Sequence, residues 1–278
     1  MSLGIFLAVL VAAVLHAGWN AIVKTSLSKQ TSMFLLSVGH AGIGALVVAT
    51  RPFPAAEVWP WLFASGLIHM AYQLFLAYAY EQGDLSRVYP IARGAAPMLV
   101  LMVSLGFLAD SMGGWDYAGI VVLGLGIILM ARGVFQNGES RKLLPYALGA
   151  ALATAGYTLA DGLGARVSGD PFAYIGWLMI LSAVFFTPAV IGLRGVAVMR
   201  ATPRAWAIGM VAALASFVAY AIAIWAMTIA PIALVSALRE TSILFAVLIG
   251  WIAFGERLGW MKALAATLIV TGAMLTRL

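Results

Sequence analysis

The chain has 278 residues, of which 64% are apolar and 9% are charged, whereas soluble domains carry about 25% charged residues. So few charges cannot cover a water-exposed globule of this size, and the composition equally excludes a disordered chain and a coiled coil. The net charge of +6 comes from 16 Lys and Arg that stand singly between apolar segments, so no basic run exists to bind nucleic acid. Because cysteine is absent, disulfides and thiolate chemistry are excluded as well. We therefore expect an all-α integral membrane protein.

Apolar segments that are long enough to cross a bilayer follow one another along the whole chain. A membrane-spanning helix needs about 20 such residues, and ten spans are predicted, at about 3–23, 33–50, 59–80, 86–108, 116–132, 143–163, 172–193, 204–228, 231–253 and 260–276. The first span is expected to be retained rather than cleaved as a signal peptide, because no basic residue precedes it. The short loops have no room for a nucleotide-binding domain, which excludes an ATP-driven pump.

Polar residues recur at the same intervals in the two halves of the chain. Arg93 precedes Asp110 by 17 residues, and Arg239 precedes Glu256 by 17 residues. This match, in register with the span count, predicts a duplicated five-span unit. Because five is an odd number, the second unit enters the membrane from the opposite side, as in the inverted repeats of secondary transporters. The predicted repeats are residues 1–138 and 139–278.

Three short motifs resemble the EamA family of the drug/metabolite transporter superfamily. They are His16-Ala17-Gly18-Trp19-Asn20-Ala21, Tyr89-Pro90-Ile91-Ala92-Arg93-Gly94 and Gly255-Glu256-Arg257-Leu258. The resemblance covers essentially the whole chain and includes bacterial amino-acid exporters of the YddG type. It implies that the first four helices of each repeat surround a central cavity, while the fifth helix packs outside them.

The same resemblance implies a function. We expect a secondary transporter that exports small metabolites, above all amino acids with aromatic or other apolar side chains, across the bacterial inner membrane by alternating access of the two repeats. Its expected partners are the small-molecule substrate and membrane lipid, and we expect a monomer without a cofactor, a metal ion or catalytic residues. The small multidrug members of the superfamily have an essential Glu in span 1, and this chain has no acidic residue there.

Three charged residues are predicted near the bilayer midplane, where a charge costs several kcal/mol. Arg93 lies about 7 residues into span 4, and Glu240 lies about 9 residues into span 9, which places each about 10–14 Å deep. Arg239 and Glu240 point about 100° apart on a helix, so they serve different contacts. We expect one of them to pair with a residue on span 4 or span 6. Such a pair is either part of a binding site or an architectural tie between helices.

Polar and aromatic residues at helical spacing mark one face of several spans, and such faces do not contact lipid. They predict one shared polar cavity. The candidate substrate-binding residues are His16, Asn20, His69, Tyr72, Gln73, Tyr80, Arg93, Tyr157, Asp161, Tyr220, Trp225, Arg239 and Glu240. The candidate proton-coupling residues are Glu240, Asp161 and His16. His40 on span 2 is predicted to make a helix–helix hydrogen bond instead.

Three hypotheses of function remain open at this point. For an amino acid, Asn20, Asp161 or Glu240 would accept from the ammonium group, and Arg93, Arg239 or His16 would donate to the carboxylate. The second hypothesis, a proton-coupled exporter of drugs or organic cations, predicts acidic and aromatic residues in the cavity and arginines held in structural pairs. The third, an intramembrane enzyme, is disfavoured by the inverted repeat.

The basic residues also predict an orientation. Eleven Lys and Arg lie in odd-numbered loops, and three lie in even-numbered loops or the tails. The positive-inside rule then places both termini outside. Many members of the resembled family are placed with their termini inside, so the two arguments disagree, and the charge bias is the stronger one.

Overall fold

The computed structural model describes residues 1–24, 28–82, 88, 91–93, 95–108, 110–132, 141–254 and 259–278. These residues are mostly helical, and no β-strand occurs among them. The α-helices are α1 (Leu3–Lys24), α2 (Lys29–Val48), α3 (Trp59–Gln82), α4 (Ala96–Phe107), α5 (Gly114–Arg132), α6 (Leu144–Ser168), α7 (Pro171–Arg194), α8 (Pro203–Ile229), α9 (Ile232–Arg239), α10 (Ser242–Phe254) and α11 (Trp260–Leu275). Short 3₁₀ helices lie at Ala56–Val58, Arg141–Leu143 and Val196–Met199.

The described helices account for the ten predicted spans. Seven helical segments are long and apolar enough to cross a membrane, and the shorter apolar helices Ile91–Phe107, Gly114–Met130 and Trp260–Leu275 bring the number to ten. Large apolar side chains cover the outer surface: Phe107 is 85% exposed and Ile252 is 75% exposed. Such a surface is stable only in lipid. The prediction of an all-α membrane protein with ten spans is confirmed.

The turn between α6 and α7 shows how local sequence places the helix ends. Gly169 follows α6 with a φ of 66°, a left-handed conformation that glycine adopts without strain. Asp170 then caps α7, because its carboxylate accepts from the backbone N–H groups of Phe172 and Ala173 at 3.0 and 3.1 Å. Pro171 occupies the first turn, where a missing N–H costs nothing. Span 6 therefore ends at Ser168 rather than near 163.

Span 9 consists of two helices that meet near the middle of the membrane. Helix α9 ends at Arg239, and α10 begins at Ser242. The backbone N–H groups of Glu240 and Thr241 donate three residues back, to Ala237 and Leu238, as in a 3₁₀ turn. This tightened turn changes the direction of the side chains at mid-depth, which a continuous span at 231–253 did not predict.

The helix pairs follow the inverted repeat. Helix α2 packs on α7, and α5 packs on α11, so equivalent helices of the two repeats meet. Helix α1 packs on α8, and α3 packs on α6. In both pairs the first helix of one repeat contacts the third helix of the other repeat. A Cβ on Gly272 would lie 2.5 Å from the backbone nitrogen of Leu123, so α5 and α11 touch backbone to backbone. The fifth helices therefore form a pair of their own, as expected.

Candidate substrate cavity

A cavity of about 60 Å³ lies at mid-depth between seven helices that come from both repeats. Tyr157, for example, stands halfway along α6. The volume has room for a few water molecules, so a large metabolite requires the walls to move. The lining residues are His16, Trp19, Met33, Leu36, His40, His69, Tyr72, Gln73, Tyr157, Met179, Ser182, Ser216, Tyr220 and Arg239.

The structure places part of the predicted set on this wall. The candidates that line the cavity are His16, His69, Tyr72, Gln73, Tyr157, Tyr220 and Arg239. The candidates that do not line it are Asn20, Tyr80, Arg93, Asp161, Trp225 and Glu240. The lining residues that were outside the predicted set are Trp19, Met33, Leu36, His40, Met179, Ser182 and Ser216.

Each candidate away from the wall has a physical reason to be there. The side-chain amide of Asn20 donates to the carbonyl of His16 on its own helix at 2.8 Å. Tyr80 packs into the apolar cluster around α2 and α3, and Trp225 packs against the cluster around α9. Arg93, Glu240 and Asp161 are held by other polar side chains.

Arg93 and Glu240 form a buried two-pronged ion pair. Arg93 Nη2 lies 2.7 Å from Glu240 Oε1, and Arg93 Nε lies 3.2 Å from Glu240 Oε2. The two residues are 1% and 2% exposed, and Arg93 Nη1 also donates to the hydroxyl of Tyr157 at 3.3 Å. Both carboxylate oxygens are therefore occupied by a guanidinium fork. The predicted pairing of span 9 with span 4 is confirmed, and Tyr157 connects the pair with the cavity wall.

Arg239 is buried at the cavity wall without such a partner. Its guanidinium carbon lies 4.9 Å from the centre of the Tyr220 ring, a cation–π distance. Among the described residues no carboxylate lies within ion-pair distance of it. Arg239 is also the one permanently charged side chain among the described lining residues. The cavity is therefore positive at this end.

Asp161 lies behind the wall within a cluster of aromatic and polar side chains. It is fully buried, and its two oxygens accept hydrogen bonds from the hydroxyls of Tyr174, at 3.0 Å, and of Tyr220. His69 Nε2 lies 3.9 Å from Asp161 Oδ2. The His69 ring stacks on Tyr157 with 4.2 Å between ring centres. This cluster joins α3, α6, α7 and α8 immediately beside the cavity.

Two further polar groups on the wall have atoms that point to no partner among the described residues. Gln73 donates its amide N–H to Ser182 on α7 at 2.9 Å, and its Oε1 is buried without a hydrogen bond. The His40 side chain faces the backbone of Ala213 on α8, which is the helix–helix contact that the sequence predicted. Its Nε2 is nevertheless buried without a partner. Both residues are 8% exposed, so the wall has two buried polar atoms whose hydrogen bonds the described residues do not supply.

An ion pair lies at each end of the helix bundle. On the side of the termini, Asp110 accepts from Arg166 at 2.7 and 3.2 Å and from the backbone N–H of Ile232 at 2.9 Å. On the opposite side, Glu81 pairs with Arg194 and accepts from Gln30 at 3.0 Å. Both pairs connect an acidic residue of the first repeat with an arginine of the second repeat. They are candidates for contacts that break when one end opens.

Two of the motifs lie partly or wholly outside the described residues. These positions are Tyr89, Pro90, Gly94 and the segment 255–258, including Glu256, the repeat counterpart of Asp110. Their sequence still supports the family comparison. The EamA-like transporter family matches residues 2–132 and 141–278. The chain belongs to the EamA-like transporter family. It is thus a membrane transporter built from two repeats of the family unit.

A solved structure gives independent support for the fold. It is described only as the crystal structure of a protein, and it superposes with a TM-score of 0.74 over 99% of this chain and 96% of its own. The identity is 17%, so the likeness concerns the fold alone. No curated protein matches the sequence at a significant level.

Proposed function

We propose that this EamA-like transporter exports small zwitterions, above all amino acids with aromatic or other apolar side chains, across the bacterial inner membrane by alternating access. One observation carries the proposal: Arg239 is the permanently charged residue among the described lining residues, and it has no carboxylate partner there. A buried guanidinium is stable when a bidentate anion such as a carboxylate reaches it. A substrate carboxylate supplies that anion.

The internal repeat explains why Arg239 differs from Arg93. The two arginines are equivalent by their spacing to Asp110 and Glu256. The residue after Arg239 is Glu240, whereas the residue after Arg93 is Gly94. Arg93 therefore has Glu240 from the other repeat as its partner, but Arg239 finds no acidic residue at the equivalent place. In our proposal, the substrate takes the position of the missing carboxylate.

The rest of the wall fits the other parts of an amino acid. The free Oε1 of Gln73 accepts from an ammonium group, and the faces of Tyr157 and Tyr220 attract a cation. The apolar side of the wall offers contacts for an aromatic or aliphatic side chain. It consists of Trp19, Met33, Leu36, Tyr72 and Met179.

The organic-cation hypothesis fits this wall less well. Among the described lining residues there is no carboxylate, since Glu240 is bound to Arg93 and Asp161 lies behind Tyr220. A quaternary cation would meet Arg239 as the nearest permanent charge, and like charges in a medium of low dielectric repel strongly. The cavity therefore favours a ligand with an anionic end.

Counterflow with purified protein in liposomes tests the proposal. The panel contains labelled alanine, leucine and phenylalanine, with tetraethylammonium as the cation. We expect exchange of the amino acids and none of the cation. Arg239→Gln should lower the apparent affinity about tenfold or more, since a charged hydrogen bond contributes about 1.5–3 kcal/mol. The matched control is Arg200→Gln, at an exposed position between α7 and α8, which should exchange like the wild type.

Two results would contradict the proposal. One is exchange of tetraethylammonium without exchange of any amino acid in the panel. The other is an Arg239→Gln protein whose amino-acid affinity equals that of the Arg200→Gln control. In either case the guanidinium at the wall does not bind the substrate carboxylate.

A further inference from the structure

Two hydrogen-bond acceptors face each other beside the cavity. His69 Nδ1 lies 3.0 Å from the carbonyl oxygen of Ser65, which only accepts, and 3.1 Å from the Ser65 hydroxyl. Because this hydroxyl also faces Asp161, it can donate its hydrogen there, and the tautomer that fits both contacts has its hydrogen on Nδ1. In the neutral ring, Nε2 is then an acceptor. This Nε2 lies 3.9 Å from Oδ2 of Asp161, which also only accepts when ionised. A hydrogen-bond donor placed between these two acceptors would remove the repulsion between their lone pairs.

The side chains around Asp161 prepare its carboxylate to accept a hydrogen bond from such a donor. The Tyr174 and Tyr220 hydroxyls each donate to one of its oxygens, and the Ser65 side chain faces it as well. These groups favour the ionised carboxylate, but no permanent cation is in contact with it among the described residues. A buried carboxylate without a bound cation gains by taking up a proton or approaching a positive group.

The titratable and charged neighbours of the pair come from every helix packed around it. Helix α4 brings no titratable side chain. Helix α2 brings His40, which interacts electrostatically with His69, and helix α1 brings His16, which lines the same cavity. The remaining helices bring His69 itself from α3, Tyr157 from α6, Tyr174 from α7, Tyr220 from α8 and Arg239 from α9. Arg239 is a permanent cation beside the pair, with its guanidinium 4.9 Å from the centre of the Tyr220 ring. Arg93 reaches the cluster through Tyr157, but its charge is balanced by Glu240.

Tyr220 connects this pair with the carboxylate end of the proposed substrate site. Its hydroxyl donates to Asp161, and its ring supports Arg239. His69 lines the same cavity. A zwitterion whose carboxylate is bound at Arg239 therefore has its ammonium group within the cavity that exposes His69. The ammonium N–H and a free proton compete for the same Nε2 acceptor.

We propose that His69 and Asp161 form a proton-binding pair, and that the substrate ammonium and a proton occupy it in turn, so that one proton is exchanged for one zwitterion. This inference rests on the proposed function. In each cycle, a proton from one side binds the pair after the substrate leaves, and it is released when the next substrate binds. No covalent bond other than that to the exchanged proton forms or breaks. A bound proton lowers the affinity for the substrate, and bound substrate lowers the affinity for the proton by the same factor.

The test uses the full-length protein in liposomes that are acidic inside, with the membrane potential held at zero by potassium and valinomycin. Labelled phenylalanine is added outside. We expect the wild type to accumulate it about tenfold per unit of pH difference, the equilibrium value for one proton. A pH dye inside the liposomes should report proton exit when phenylalanine enters.

Two variants locate the coupling site. Asp161→Asn keeps a hydrogen-bonding side chain but cannot hold the proton in the same way, so we expect counterflow without accumulation. Glu57→Gln, an exposed carboxylate before α3, is the control and should accumulate like the wild type. Tyr174→Phe removes one donor and leaves the wall intact, so the half-maximal pH of driven uptake should rise, because the ionised carboxylate has lost a donor. This second variant keeps the test valid if Asp161→Asn fails to fold.

The outcomes separate this inference from the proposed function. Counterflow of phenylalanine without any accumulation by the wild type overturns the coupling and leaves an amino-acid facilitator. Accumulation by Asp161→Asn equal to that of Glu57→Gln, or a Tyr174→Phe profile identical to the wild type, overturns the assignment to this pair. Absence of counterflow for every amino acid in the panel overturns the proposed function and the coupling with it.

Discussion

Arg93 and Glu240 are 147 residues apart in the chain and form a two-pronged ion pair at the centre of the helix bundle, with distances of 2.7 and 3.2 Å. Arg93 belongs to the first repeat and Glu240 to the second. The pair ties the helical residues before α4 to the tightened turn between α9 and α10. Because each partner balances the other's charge and neither lines the cavity, we expect the pair to act as an architectural tie rather than as a direct ligand of the substrate.

Removal of one charge of this pair should destabilise the protein. Glu240→Gln leaves a buried guanidinium without its counter-ion, and breaking a buried pair costs about 3–5 kcal/mol. We expect the free energy of unfolding, measured by detergent titration, to fall by that order. The double variant Arg93→Met with Glu240→Met removes both charges and should recover much of the loss while exchange of amino acids persists. Equal stability of wild type and Glu240→Gln would refute the tie.

The contact between α5 and α11 makes a second prediction about stability. Gly272→Ala adds a Cβ that would lie 2.5 Å from the backbone nitrogen of Leu123, so the two helices have to separate. Overpacking of this kind costs about 1–3 kcal/mol, which thermal unfolding in detergent should show. The control Gly42→Ala meets nothing within 4 Å and should match or exceed the wild type. A normal melting temperature for Gly272→Ala would mean that the helices are not in backbone contact.

The pair of Asp110 and Arg166 should restrict access to the cavity from the side of the termini. The chain has no cysteine, so Ser216→Cys places a single thiol on the cavity wall. In that background, Asp110→Asn should increase labelling by a membrane-impermeant thiol reagent added from that side. Loss of about 1.5 kcal/mol from a charged hydrogen bond corresponds to about tenfold.

The opposite end supplies the matched comparison for this experiment. Glu81→Gln weakens the contact with Arg194 and should increase labelling of the same cysteine from the other side only. If both variants change labelling equally from both sides, the ion pairs do not act as separate closures, and the assignment of one pair to each end is wrong.

The orientation of the termini can be measured directly. The ten-span fold puts both termini and the even-numbered loops on one side, which has three of the loop and tail Lys and Arg, whereas the other side has eleven. The positive-inside rule predicts that both termini are outside. A C-terminal reporter that is active only on the non-cytoplasmic side should therefore be active. An active cytoplasmic reporter would show that the charge bias does not decide the orientation.

The lining residues of α2 have a sequence pattern that does not by itself indicate a cavity. Met33, Leu36 and His40 follow each other at three and four residues on α2, the spacing of one helix face. Such a stripe is apolar enough to be taken for packing, and only its position opposite Arg239 and Tyr220 shows that it faces a cavity. Asn20 shows the reverse case: its polarity predicts a cavity residue, but its side-chain amide donates to a carbonyl of its own helix.

The sequence by itself determined that lipid surrounds the protein, how many spans it has, that they form an inverted repeat and which charged residues are buried. Those are properties of local hydropathy and spacing, since lipid penalises every unpaired polar group at a given depth. Only the tertiary structure decided which arginine is paired and which one faces the cavity. That choice depends on the rotation of each helix about its axis and on the turn at Glu240 and Thr241. Side-chain direction there is set by packing between the two repeats, which no single segment contains.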